Sequence, residues 1–353
     1  MTTVSSSRIN RTDALHLLRD APLFELGSWA FEAKRARHGD VVTWVSNRHI
    51  NPTNLCALSC RFCDFAAKPG DAHAYSLDEA AILEMVAEPL LREVHIVGGL
   101  WKDWGQERSL NLVRAIRAAR PDLWIKAFTA VEVAFFAKQA RTMPVNILQR
   151  MMEAGVDMLP GGGAEVLSER IHQELYPQKS GPAEWLAIHE QAHELGLTSN
   201  ATLLFGHIET DEEIVEHLLS VRELQERTGG FTSFIPLAYQ PGSTGLVSHL
   251  ATPERCLRIV ATARMVLDNV PHIKAYWPSL QVETAAAALN FGADDIDGTL
   301  GKERIMQLAG TASPAQVDAR YLQRLIRDAG QEPRERDGQY NLIDEAPVMA
   351  AGC

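Results

Sequence analysis

From about Asp40 onward, short β-rich runs alternate with helical patterns, and that alternation leaves few architectures open. Parallel strands need long crossover connections, and a helix between each pair supplies them. The runs that read as strands cover residues 41–50, 93–97, 123–128, 158–159, 198–205, 231–237, 272–277 and 293–296. Helix boundaries between them carry their own signals. Ser76 with Glu79 and Thr210 with Glu213 are capping-box patterns, and Thr252 followed by Pro253 is an N-cap with proline at the first helical position. Gly229-Gly230 stops the helix that starts at Asp211. Eight strands alternating with helices predict an α/β fold of the (βα)8 TIM-type barrel kind. An open doubly wound sheet would place its glycine fingerprint after the first strand, and this chain has a cysteine loop there.

Helical segments at 12–19 and 23–36 precede the barrel and are expected to pack on it. A further helix is expected over 314–329, with Ser313 as N-cap and Pro314 at its first position; the polar stretch from about Gln331 reads as an irregular tail. The predicted organisation is an N-terminal helical segment over 1–39, the barrel over 40–310, and a C-terminal helix and irregular tail over 311–353. No repeat, low-complexity tract or linker marks a second domain.

The loop after the first strand reads Asn54-Leu55-Cys56-Ala57-Leu58-Ser59-Cys60-Arg61-Phe62-Cys63-Asp64-Phe65. Its cysteines follow a C-x3-C-x2-C spacing. Thiolates are soft ligands suited to iron–sulfur clusters or zinc. Three thiolates hold three corners of a [4Fe–4S] cubane and leave the fourth iron free to take a small chelating molecule. Structural zinc instead wants four ligands, often as two Cys pairs, and the remaining cysteines, Cys256 and Cys353, are distant and solitary. Cys256 falls on a predicted helix as a small buried hydrophobe, and Cys353 is the last residue. In a barrel, strand C-termini build the active site, so the cysteine loop is placed at that rim. Asn51 and Asn54, around Pro52, either pin the loop and donate to cluster sulfurs or do ordinary turn work.

The formal net charge of −11 argues against non-specific binding to nucleic acid or to anionic membranes. The first residues lack the apolar core of a signal peptide, and no apolar run is long enough to span a bilayer. Five cysteines with three clustered do not make a secreted disulfide framework, so the expected location is the cytoplasm.

The cysteine motif resembles the signature of the radical S-adenosylmethionine (SAM) enzymes. That resemblance implies a [4Fe–4S] cluster on Cys56, Cys60 and Cys63, SAM chelating the open iron, and an external electron donor such as flavodoxin or ferredoxin. It also implies cofactor contacts elsewhere on the rim. Gly98 and Gly99 would receive the methionyl amine, though a glycine pair is also a tight turn. Glu165, after the Gly161-Gly162-Gly163 run, would accept from ribose hydroxyls or the amine, and Arg170 would pair with the methionyl carboxylate. Glu165 is also readable as a first-turn acid, and Arg170 as part of a solvated helix face. Ile208 would pack on adenine, with Gly206 making room. Of the adjacent acids Asp294 and Asp295 only one can face inward; Asp297-Gly298 reads as a turn, and no metal site is expected there.

Segments at 46–54, 126–132, 159–165, 199–202, 206–210, 271–277 and 290–299 are more specific, and resemble the aminodeoxyfutalosine synthases of the futalosine route to menaquinone. That family resemblance implies addition of a 5′-deoxyadenosyl radical to 3-[(1-carboxyvinyl)oxy]benzoate, with SAM consumed as co-substrate. It breaks at one place: a His-Pro pair after Gly-Gly-Leu is replaced by Trp101-Lys102, which leaves a neighbour such as His95 to compensate. A dianionic substrate in an acidic chain needs local positive charge, for which Arg48, His49, Lys126, His207 and Lys274 are candidates; each is also readable as a structural ion-pair member. The alternatives are a sister radical SAM enzyme (cyclic dehypoxanthinyl futalosine synthase or the tyrosine-using deazaflavin component) and a non-catalytic metal-binding protein.

Overall fold

Residues 8–299, 301 and 303–343 are described by the computed structural model; Cys353 and the tail after residue 343 lie outside them. The strands are β1 (Val41–Val45), β2 (Asn47–Ile50), β3 (Glu93–Ile96), β4 (Trp124–Ala127), β5 (Met158–Leu159), β6 (Thr198–Phe205), β7 (Phe231–Ala238), β8 (His272–Ile273), β9 (Asp295–Gly298) and β10 (Glu332–Glu335). β2 to β8 form one sheet in chain order, and their neighbouring pairs are parallel. β1 and β2 are one run broken at Ser46, whose carbonyl accepts the Arg92 N–H at 2.8 Å. β1 pairs with β9. The Ala275 N–H bonds the Asp295 carbonyl at 2.8 Å and the Asp294 N–H the Ile273 carbonyl at 3.0 Å, joining the end of β8 to β9. The sheet therefore closes on itself as the barrel that the alternation predicts.

The region expected to be an irregular tail is different. β10 runs parallel to β1, from Val41 opposite Glu332 to Trp44 opposite Glu335, and fills the seam below β2 and β3. Its sequence Glu-Pro-Arg-Glu has no strand pattern. The strand exists because β1 offers it an edge, and Pro333 is tolerated because an edge strand leaves one row of N–H groups unused.

Helix starts show the same pull of distant contacts. Thr210 forms the expected capping box with Glu213, Thr252 caps the Arg255 N–H, and Gly229 ends its helix at φ 66°. Ser76 does not cap α3 (Glu79–Val86, following α1, Arg11–Arg19, and α2, Leu23–His38). Its hydroxyl is taken by Trp104 Nε1 at 2.8 Å, and Asp78 caps Ala81 instead. Ser313 is diverted in the same way: its Oγ donates to the Trp277 carbonyl at 3.0 Å, so the last helix spans Ala319–Asp328, capped by Asp318. β8 stops at Ile273, and Trp277, expected at the end of that strand, opens a short helix.

α1 and α2 pack on the outside of the barrel. Leu17, Ala21, Leu26 and Ala30 bury against Ala261 of the helix Pro253–Val266. No helix among the described residues is long and apolar enough to cross a membrane.

The N-terminal end of the barrel is closed by charge. Arg336, just past β10, is fully buried and bonds Asp295 at 2.5 Å and Glu93 at 3.5 Å. Glu93 also pairs with Lys126 at 2.9 Å. Lys274 pairs with Asp297 at 2.9 Å and lies 3.6 Å from Asp295. All six side chains are at most 6% exposed, and three cations match three carboxylates. Buried charges persist only when compensated in this way.

Candidate active site at the C-terminal mouth

Above that network a cavity of about 330 Å³ opens toward the strand C-termini. Cys56, Cys60 and Cys63 line its rim, and His49, His95 and Lys126 line its floor. These floor residues are register neighbours, His49 opposite His95 on β2 and β3, His95 opposite Lys126 on β3 and β4. Their side chains therefore point the same way into the barrel.

The cysteine loop is held by its backbone. Cys56 N–H donates to the Ala67 carbonyl at 3.0 Å, Ala57 N–H to Leu100 at 2.8 Å and Arg61 N–H to Leu175 at 2.8 Å. Asn54 spends its side chain on the loop's return limb, donating to the His73 carbonyl at 3.0 Å and accepting the Tyr75 N–H at 2.8 Å. Asn51 donates to the Val97 carbonyl at 2.9 Å. Both amides thus do the pinning half of the role read from the sequence. In the absence of a metal, burial pushes the Cys60 thiol up to about 12 and also raises Cys63.

The donor set distinguishes a cluster from a single ion. Among the described residues, the one trio whose ligand atoms all lie within 4.8 Å of one another is His38, His272 and Asp294. Structural zinc takes four protein ligands, whereas the three cysteines line one cavity as three soft donors from a single loop. Three thiolates with one position left open fit a [4Fe–4S] cluster. The His38 trio is a structural knot: His38 Nε2 bonds the Pro271 carbonyl at 2.9 Å, and Asp294 is also paired with Arg264.

Glycines set the wall next to the loop. A Cβ at Gly99 would collide with the Leu55 carbonyl, and one at Gly161 with the Asn200 carbonyl. Gly98 lines the cavity and donates its N–H to Glu132 Oε1 at 3.1 Å. Glu132 also accepts from Thr129, and burial pushes its carboxyl up to about 7 against those hydrogen bonds. Glu165 faces the cavity from a left-handed backbone (φ 46°) and pairs with Lys179, which lies 5.3 Å above the Phe62 ring. Non-glycine residues rarely hold that conformation, and such positions cluster at functional sites.

Other residues singled out by the sequence lie away from the cavity. Arg48 follows the strand's alternation to the outer face, where it bonds the Met85 carbonyl at 2.8 Å and Glu88 at 2.7 Å. His207 accepts the Ile208 N–H at 2.7 Å, and its Nε2 lies 3.1 Å from the Leu204 carbonyl. Ile208 packs against the core, and Arg170 is engaged by Glu213 at 2.6 Å and the Ile208 carbonyl at 2.9 Å. Lys274 sits one layer beneath, inside the paired network. Of the five candidate cations, His49 and Lys126 reach the cavity.

The sequence reading missed several wall residues. Asp295 faces inward and Asp294 outward, as alternation requires. Asp297, taken for a turn residue, is buried on the cavity wall at φ 67° and bonds Lys274 and the Asn47 amide at 2.9 Å each. Burial pushes its carboxyl up, but Lys274 and Lys126 more than offset that and hold it well below the usual range. Glu303, buried over the mouth, is raised to about 7 by desolvation. Glu132 had a legible signal, the capping box with Thr129; Glu303 had none.

Comparisons with known proteins agree with this geometry. The Radical SAM superfamily matches residues 50–221, and the CofH/MqnC C-terminal region matches 228–349. An aminodeoxyfutalosine synthase from Thermus thermophilus is 39% identical, covering 96% of this chain and 94% of its own length. A cyclic dehypoxanthine futalosine synthase from Streptomyces coelicolor is 36% identical, covering 96% of this chain and 86% of its own. Methylornithine synthase (PylB) superposes with a TM-score of 0.73 at 16% identity, over 93% of this chain and 95% of that one, which places the fold.

Proposed function

We propose a specific reaction for this chain, which belongs to the radical SAM superfamily: addition of a 5′-deoxyadenosyl radical to 3-[(1-carboxyvinyl)oxy]benzoate, giving 6-amino-6-deoxyfutalosine on the way to menaquinone. Rearrangement onto the arene and loss of the carboxyl group complete it. Cys56, Cys60 and Cys63 would hold a [4Fe–4S] cluster, which when bound would supply the electron for reductive cleavage of SAM, drawn from a donor such as flavodoxin or ferredoxin.

The chain's own residues have three tasks. Gly98 and Gly99, held flush against the cysteine loop, present backbone to the methionyl end. Glu165, oriented by Lys179, and the turn at Gly161–Gly163 meet the ribose side. Val97, Leu204, Ile235 and Leu237 line the cavity with apolar surface, keeping water and hydrogen donors from a carbon radical. One chamber thus joins the rim sulfurs to a polar floor, which brings cofactor and substrate carbons into near contact. That shared chamber, in a chain whose aminodeoxyfutalosine synthase relative is 39% identical, carries the reading.

A second reading is favoured by the match to the CofH/MqnC C-terminal region, namely a sister radical SAM enzyme. Anaerobic incubation of reconstituted protein with SAM, a reductant and the enolpyruvyl benzoate separates the two. An adenosine-containing product with the mass of 6-amino-6-deoxyfutalosine is expected. No such product, with turnover instead of dehypoxanthinyl futalosine or of L-tyrosine, moves the chain to a sister activity.

A further inference from the structure

The floor of the cavity poses a charge problem for any anionic substrate. Among the described residues two cations line the cavity, Lys126 and Lys179, and each already has a carboxylate partner, Glu93 and Glu165. Below the floor, Lys126, Lys274 and Arg336 balance Glu93, Asp295 and Asp297 with no charge left over. A carboxylate arriving here would be a buried, uncompensated charge, which costs several kcal/mol.

Two groups on the floor can remove that cost. His49 and His95 lie edge to face with ring centroids 4.6 Å apart, and His49 stacks 6.3 Å from Tyr276. Among the described residues neither ring has a side-chain hydrogen bond, and His95 Nε2 is a buried nitrogen with no partner. A buried nitrogen left unpaired on a residue that lines a cavity is available to a ligand that enters it. The charged and titratable groups facing the pair are Glu93 on β3, Lys126 on β4, Lys274 and Tyr276 beyond β8, and Asp297 on β9. Burial, reinforced by Lys126 and Lys274 and opposed by Asp297, lowers His49 to about 4; burial, His49 and Lys126 lower His95 as well. Both rings are therefore neutral at pH 7 when the cavity holds no anion.

We infer that His49 and His95 form the seat of a substrate carboxylate, and that binding there draws one proton from solvent onto the imidazole pair. The carboxylate stays ionised, the proton comes from water or buffer, and the new imidazolium supplies the missing positive charge. The inference rests on the carboxylated substrate of the preceding section. It explains how an acidic chain with no unpaired cation among the described residues of its cavity accepts a dianion, and it gives discrimination: an uncharged analogue brings no charge to draw the proton in.

The test is calorimetric titration of the cluster-loaded, SAM-bound, unreduced enzyme with 3-[(1-carboxyvinyl)oxy]benzoate, in phosphate and in Tris at pH 7.5. Uptake of about one proton per bound molecule is expected, with affinity falling about tenfold per pH unit above pH 7. In the His49→Gln, His95→Gln double variant the uptake should vanish and affinity should drop at least about tenfold, while cluster absorbance and SAM affinity, which report a folded site, are kept. Binding without proton uptake, or uptake that survives the double substitution, overturns the inference alone. If SAM binds but the benzoate does not, the substrate reading falls and takes this inference with it.

Discussion

The two ends of this barrel use polar residues in opposite ways. At the N-terminal end, buried charges meet partners from β3, β4, β9 and the segment after β10, and nothing is left to react. At the C-terminal end, thiols and neutral imidazoles face the cavity without charged partners. The lesson is that charge alone does not mark function here: paired charges hold the base, and the polar groups that line the cavity are the ones open to a ligand.

That contrast breaks most visibly at the cysteines. Cys56→Ala, Cys60→Ala and Cys63→Ala should each abolish SAM cleavage and the cluster's electron paramagnetic resonance signal, while Cys256→Ala, a packed helix residue, keeps both. Retained cleavage in any of the first three would make the rim as inert as the charged base.

At the other end, Arg336→Met should lower the unfolding free energy by about 3–5 kcal/mol, because Asp295 and Glu93 then lose a buried partner. Urea denaturation of the apoprotein measures it, and a loss below about 1 kcal/mol would mean that the floor is not charge-locked.

Glu132 gives a sharper test, since its folded-state pKa of about 7 lies above the ordinary 4.5. The folded chain holds a proton there that the unfolded chain has lost. Stability should therefore fall as pH rises from about 4.5 to 7, by up to about 3 kcal/mol, and level off above. In Glu132→Gln that slope in Tm should shrink by about half, with Glu303, also raised to about 7, supplying the rest; an unchanged slope would assign it to other carboxyls.

The smallest effect is expected at Arg170. Half exposed and paired with Glu213, it should yield to Arg170→Lys with under about 1 kcal/mol lost in stability, by thermal unfolding. A tenfold loss of SAM affinity in the same variant would return its guanidinium to the cofactor.

The rim was far more legible in the sequence than the floor. Cysteine spacing, glycine runs and the capping box at Thr210 act over a few residues, so they survive as local patterns. Strand alternation also foretold that Asp294 and Asp295 face opposite ways, yet it was not applied to Arg48, which the same rule sends outward. The floor depends on Arg336 reaching Glu93 from a segment with no strand pattern, and on Asp297 holding a left-handed backbone beside Lys274. Ser76 and Ser313 were misread for a related reason: Trp104 and the Trp277 carbonyl claim their hydroxyls from across the fold.

β10 also fixes the order in which the molecule can mature. Its partner β1 emerges from the ribosome early, but the seam waits for residues 332–336, after every other strand has been made. Until then Glu93 and Asp295 have no guanidinium between them, so the nascent barrel cannot settle its base. Final closure is thereby deferred until residues 332–336 have been made, and the cysteine-lined mouth rests on a foundation laid after it.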